Sequence, residues 1–240
     1  MPAEKGCLPM TYLNEHVQNE IREKLANVRQ DVELIVYTHA DTGHIGDDRV
    51  ALDLLSELAE LHPHVHVTRR ILAGDTLAET LGITVAPTVL FRERGSNRTN
   101  LRFMGIPSGY EFSTVLETIN MLGGATPVEP SEAINRINEV TSGVRLRTFV
   151  TPTCPHCPRA VLTTFTFAVA NEHVVAEVVD SAAFPALASS YFVSSVPDTV
   201  IEGFALDAAP PQRVRGAQAP HAFAQAVMEV VNPDEARALW

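Results

Sequence analysis

Cysteine is scarce in this chain, with three among 240 residues. A small secreted domain held together by disulfides needs more of them, evenly paired, so that class is excluded. Structural zinc and iron–sulfur sites need about four ligands, which one close pair of cysteines does not supply. No metal and no bound cofactor are therefore expected. Basic side chains are also in deficit: 18 Lys and Arg stand against 29 Asp and Glu, a net charge of −11. That balance leaves no basic face for a nucleic acid partner. No stretch of about 18 consecutive apolar residues occurs, which predicts no transmembrane helix and no membrane partner. The opening residues, Met1 to Cys7, are polar and lack the apolar core of a signal peptide, so a cytoplasmic location is expected.

What the chain does have is a long-period repeat. Helical spacing over residues 11–27 is followed by a strand at 32–37, a helix at 48–61 and a strand at 65–72. A short helix at 76–81, two strands at 87–91 and 101–103, and a helix at 108–122 complete the first set. Gly123 and Gly124 then end that helix. The same order returns: helix 131–140, strand 144–150, helix 155–171, strand 174–179, short helix 185–191, strands 199–203 and 213–215, helix 219–231. Val85-Ala86-Pro87 and Ser195-Val196-Pro197 are equivalent triplets 110 residues apart. Such a period points to duplicated units. The expected fold is α/β: two tandem units, each a mixed sheet flanked by helices, with a boundary near residues 123–130. Units of 1–125 and 126–240 follow.

Two of the three cysteines sit in the pentad Cys154-Pro155-His156-Cys157-Pro158, between a predicted strand and a predicted helix. A helix N-terminus carries unpaired N–H groups and a partial positive charge, which stabilise a thiolate. Two thiols separated by two residues can close a disulfide and reopen it. Cys154, at the outer end, is the expected attacking thiol, and Cys157, one turn inward, the resolving thiol. Pro155 suits the first helical position. His156, between the thiols, can donate a hydrogen bond or place a positive charge beside Cys154; the alternative is a solvated loop histidine. Glu177, mid-strand among valines, either faces the sheet interior as a proton acceptor for Cys157 or lies on the solvent face. Cys7 reads as an incidental thiol.

The segment from Phe149 to Pro158 resembles the second active site of the prokaryotic protein disulfide oxidoreductases, glutaredoxin-like proteins built from two tandem thioredoxin folds. The segment from Arg102 to Phe112 resembles that family's end of the first unit. The resemblance implies thiol–disulfide exchange with protein disulfides or dithiols, an external electron donor resembling thioredoxin reductase, and cis bonds before Pro87 and Pro197, with Pro197 against the cysteines. The sequence departs from the family in the first unit, where Gly43-His44-Ile45-Gly46 occupies the place of a second cysteine pair. That unit is expected to be catalytically silent. His39, Asp41 and His44 nearby read as solvated side chains rather than a metal site. Two other functions stay open: an electron carrier to a peroxiredoxin, which would need a separate reductase because no flavin or nicotinamide motif is present, and a peptide-binding scaffold with vestigial redox activity.

Overall fold

Alternating side chains decide how the strands are used. In β5 (Val144–Val150), Val144, Leu146 and Val150 are buried on one face while Arg145, Arg147 and Phe149 point to the other. β1 (Val32–Thr38) divides in the same way, with Leu34 and Val36 opposed to Ile35 and Tyr37. Both faces must therefore be covered. The computed structural model describes residues 11–40, 46–206 and 208–232 and shows how. One large apolar core joins the first face to α1 (Glu15–Leu25), α2 (Asp47–Glu60), α4 (Phe112–Leu122), α5 (Glu132–Asn138), α6 (Cys157–Ala170) and α8 (Pro220–Val231). The second face carries two smaller clusters, under α3 (Thr76–Leu81) and α7 (Pro185–Ser190).

The remaining strands are β2 (Val65–Ile71), β3 (Thr88–Glu93), β4 (Leu101–Met104), β6 (Val174–Asp180), β7 (Asp198–Gly203) and β8 (Gln212–Arg215). Each half repeats one pattern. β1 pairs with β2 in parallel and with β3 antiparallel, and β3 pairs with β4 antiparallel. β5 stands in the same relation to β6 and β7, and β7 to β8. The two predicted sheets are not separate. β4 pairs in parallel with β6, giving one eight-stranded sheet in the order β2-β1-β3-β4-β6-β5-β7-β8. Edge-to-edge joining removes two exposed sheet edges, which sequence periodicity does not report.

The seam is polar as well as apolar. Arg98 donates to the carbonyls of Ala168 and Val169 at the C-terminal end of α6, and Asn100 Nδ2 donates to Ala168 and Val174 carbonyls at 2.8 Å each. The α6 carbonyls are among those a helix end leaves unpaired. Phe91 of the first half meets Phe165 of α6 with ring centroids 5.8 Å apart. Among the described residues no helix is long and apolar enough to cross a membrane.

Candidate functional site

β5 leads straight into the cysteine loop. Cys154 and Cys157 form a disulfide with Cα atoms 5.5 Å apart. Cys157 is fully buried against the main core, whereas Cys154 is half-buried. The difference follows from where the helix begins. α6 starts at Cys157, not at 155 as predicted, so Cys154 stays in the preceding turn, where its N–H donates to the Thr151 carbonyl at 3.1 Å. Pro158, the second residue of the helix, supplies the proline of the first turn, while Pro155 lies in the turn before it. His156 is the N-cap residue; it is exposed and its side chain makes no capping hydrogen bond. Nothing in its surroundings ties the ring to Cys154.

Pro197 is buried and follows a cis peptide bond from Val196, and Ala86–Pro87 is cis as well. The Val196 carbonyl lies 3.9 Å from Cys154 Sγ, so the proline loop and the outer sulfur are neighbours. The sequence-derived grouping of Cys154, Cys157 and Pro197 is thus one place in the fold. Gly43, His44, Ile45 and Asp41 lie outside the described residues, as does Cys7. Gly46 is the N-cap of α2, and Asp48 accepts from both the backbone N–H of His39 and its Nδ1 at 2.7 Å. Among the described residues no cluster of His, Cys, Asp or Glu has metal-binding geometry.

Glu177 is not behind Cys157. Its strand neighbours Ala176 and Val178 face the core that holds Cys157, so Glu177 points to the opposite face. There it is buried and fully engaged: Arg102 Nη1 donates to it at 2.8 Å and Arg147 Nη2 at 2.6 Å. A carboxylate clamped by two guanidiniums is part of the sheet's polar ladder, with no path to the inner sulfur.

A different carboxyl, which the sequence presents as an ordinary helix-start glutamate, lies on the cysteine side. Glu111 ends the 3₁₀ turn Gly109–Glu111, which packs against α6. The turn docks on the cysteine loop: Tyr110 N–H donates to the Pro152 carbonyl at 3.0 Å. Gly109 has φ +60°, and a Cβ there would collide with the Pro152 carbonyl oxygen, so only glycine fits. Glu111 is 1% exposed. Thr114 Oγ1 lies 3.3 Å from its Oε2, and its Oε1 has no hydrogen-bond partner. Burial pushes its pKa up to about 7, with a further push from Asp180, whose own pKa burial also raises. The sequence signal for Glu111 is its place between Tyr110 and Phe112; its burial comes from the half-to-half packing.

Comparison with known proteins agrees with this geometry. Residues 145–205 match the thioredoxin domain family. The F component of alkyl hydroperoxide reductase from Staphylococcus epidermidis is 26% identical over 191 residues, covering 80% of this chain and 34% of that protein. The Staphylococcus aureus counterpart is 24% identical over 172 residues, 72% of this chain and 31% of its own length. The chain thus spans about a third of the curated relatives it matches. Among solved structures, the F component of the Enterococcus faecalis alkylhydroperoxide reductase superposes with a TM-score of 0.80 at 24% identity, covering 90% of this chain and all of that one. A protein disulfide oxidoreductase from Aeropyrum pernix superposes with a TM-score of 0.77 at 23% identity, over 93% and 96% of the two chains. The chain is therefore a thioredoxin-fold protein whose second half carries a Cys154–Cys157 dithiol–disulfide centre.

Proposed function

We propose that the chain is a protein disulfide oxidoreductase working through Cys154 and Cys157, with units of residues 1–125 and 126–240 and the first unit silent in redox chemistry. One observation carries this reading: a cysteine pair in which the outer sulfur is half-buried beside Pro197 and the inner one is sealed in the core at a helix N-terminus. In the reducing direction, the Cys154 thiolate attacks a substrate disulfide. A mixed disulfide forms and one substrate thiolate leaves. Cys157 then loses its proton and attacks Cys154 Sγ. The second substrate thiolate departs, and the cysteine pair, having given up two electrons, is closed as a disulfide. A separate dithiol donor, resembling a thioredoxin reductase, restores it.

Cys157 is sealed from solvent, so a buried protein group is the acceptor we assign to its proton. Glu111 supports that assignment: a buried carboxyl with a free oxygen and a pKa near neutrality can receive a proton at cellular pH and return it. Pro197 follows the residue whose carbonyl meets Cys154 Sγ, and exposed His156 stands on the solvent side of the pair. The address in this reading is the cytoplasm.

The test is a pair of variants assayed for insulin reduction with dithiothreitol as donor. Cys154→Ser is expected to lose all turnover above background. Cys157→Ser is expected to accumulate mixed disulfides through Cys154, seen by mass spectrometry. Turnover surviving in Cys154→Ser, or adducts through Cys157 alone, would contradict the assignment.

A narrower reading is favoured by the match to the F component of alkyl hydroperoxide reductase. Here the pair relays electrons from a separate reductase to a peroxiredoxin. Peroxide-dependent oxidation of the reduced chain in the presence of a peroxiredoxin, and none without it, is the expected outcome.

A further inference from the structure

The most exposed aromatic among the described residues is Phe192, 85% exposed, on the segment between α7 and the proline loop that meets Cys154. It closes α7 in a helix-ending turn: its N–H donates to the Ser189 carbonyl at 3.0 Å, and the Val193 N–H to the Ala188 carbonyl at 3.1 Å. The first half has the same turn 110 residues earlier. Gly82 N–H donates to Glu79 at 3.1 Å and Ile83 N–H to Ala78 at 2.9 Å. The residue at this position must be left-handed. Gly82 has φ +66° and meets that demand without cost. Phe192 has φ +55° and is the single non-glycine residue with positive φ among those described. A bulky side chain resists that backbone, and such residues persist where their surroundings over-determine them.

The surroundings do so here. Tyr191, one residue earlier, accepts at its hydroxyl from Arg147 and approaches Glu202 Oε2 at 3.3 Å. Its carbonyl accepts from Arg213, its ring packs on Phe149 at 5.3 Å, and the Arg147 guanidinium lies 4.9 Å from the ring centroid. Arg147 is in turn held by buried Glu177. The ladder therefore clamps Tyr191, and Tyr191 sets the backbone of Phe192. Four and five residues on, the same loop delivers Val196 and cis-Pro197 to Cys154. The ring itself packs against nothing that would offset the conformation.

We propose that Phe192 is a specificity residue: a pre-set apolar anchor that enters an apolar pocket beside the disulfide of a protein substrate. The inference rests on the oxidoreductase reading and deepens it, because it separates protein substrates from small disulfides. A small disulfide reaches Cys154 without touching the anchor. The backbone that presents the ring is already fixed, so binding orders only the side chain itself, which is how a single exposed aromatic contributes usefully to affinity.

The test compares kcat/KM for insulin and for hydroxyethyl disulfide in the wild type, Phe192→Gly and Phe192→Leu. Phe192→Gly is expected to lose about tenfold on insulin and to stay within about twofold on hydroxyethyl disulfide, the scale of one apolar anchor withdrawn from an interface. Its melting temperature is expected to rise, since glycine suits the backbone. Phe192→Leu is expected to recover most of the insulin rate. Unchanged insulin kinetics in Phe192→Gly, or equal losses on both substrates, overturns the anchor while leaving the oxidoreductase reading standing. A wild type that turns over neither substrate overturns the reading and the anchor with it.

Discussion

The halves share a chain path and differ where chemistry happens. After β5 the chain turns through Cys154 and enters α6 at Cys157; after β1 it enters α2 behind Gly46, with no thiol available. At the end of the short helix, one half keeps glycine and the other tolerates a left-handed phenylalanine. On the second sheet face, Glu33 of β1 pairs with Arg92 of β3 at 2.7 Å, and in the other half the signs reverse, Arg145 of β5 pairing with Glu202 of β7 at 2.8 Å. A duplicated fold thus keeps its backbone and hydrogen bonds while its side chains diverge. The first half has not become idle material: it places Glu111 beside the redox helix and caps the far end of that helix with Arg98 and Asn100.

Three experiments press on that comparison, beyond those given above. The strongest asks whether the halves are one folding unit. Phe165 is fully buried, against Phe91 of the other half. Phe165→Ala is expected to destabilise the chain by about 3–5 kcal/mol, the usual cost of deleting a core aromatic. Calorimetry should show one transition moving as a whole. Two transitions, with the first-half one unmoved, would separate the halves.

Glu111 tests whether the first half serves the second. Its folded pKa is raised to about 7 from an ordinary 4.5. The folded chain therefore holds a proton that the unfolded chain has already released. The associated stability is fully present below about pH 4.5, is lost as pH rises through about 7, and amounts to about 3 kcal/mol over that window. Glu111→Gln should abolish this component, visible in the difference between wild-type and variant denaturation curves from about pH 4.5 to 8. It should also slow resolution of the mixed disulfide most strongly above neutral pH. Parallel curves would remove Glu111 from the buried titrating groups.

The smallest effect is expected at His156. Its side chain makes no capping hydrogen bond and stands in solvent. His156→Gly should raise the Cys154 pKa by less than about one unit, under about 1.4 kcal/mol, and shift the couple by less than about 30 mV. Thiolate absorbance against pH measures the first and equilibration with glutathione the second. A larger shift would make the ring an active partner of the thiolate.

Much of the architecture is legible in the residues alone. The strand at Val144–Val150 and the helix at Thr76–Leu81 begin and end where residue spacing puts them, because side-chain alternation and helical periodicity are written locally. The start of α6 is not, since Pro155 and Pro158 both suit a first turn and only the packing of Cys157 into the core chooses between them. Glu177 stands out among its valines, yet its face depends on strand register and its meaning on Arg102, 75 residues away. Composition and spacing alone determined the repeat, the paired strands of each half and the cysteine pair, and resemblance to a known family pointed to the missing thiols of the first half. Tertiary structure decided the joining of two sheets into one, the burial that raises the Glu111 pKa, the clamp on Tyr191 and the exposure of Phe192. The physical reason is range: propensity and periodicity act over a few residues, whereas desolvation and charge pairing depend on which distant segments meet.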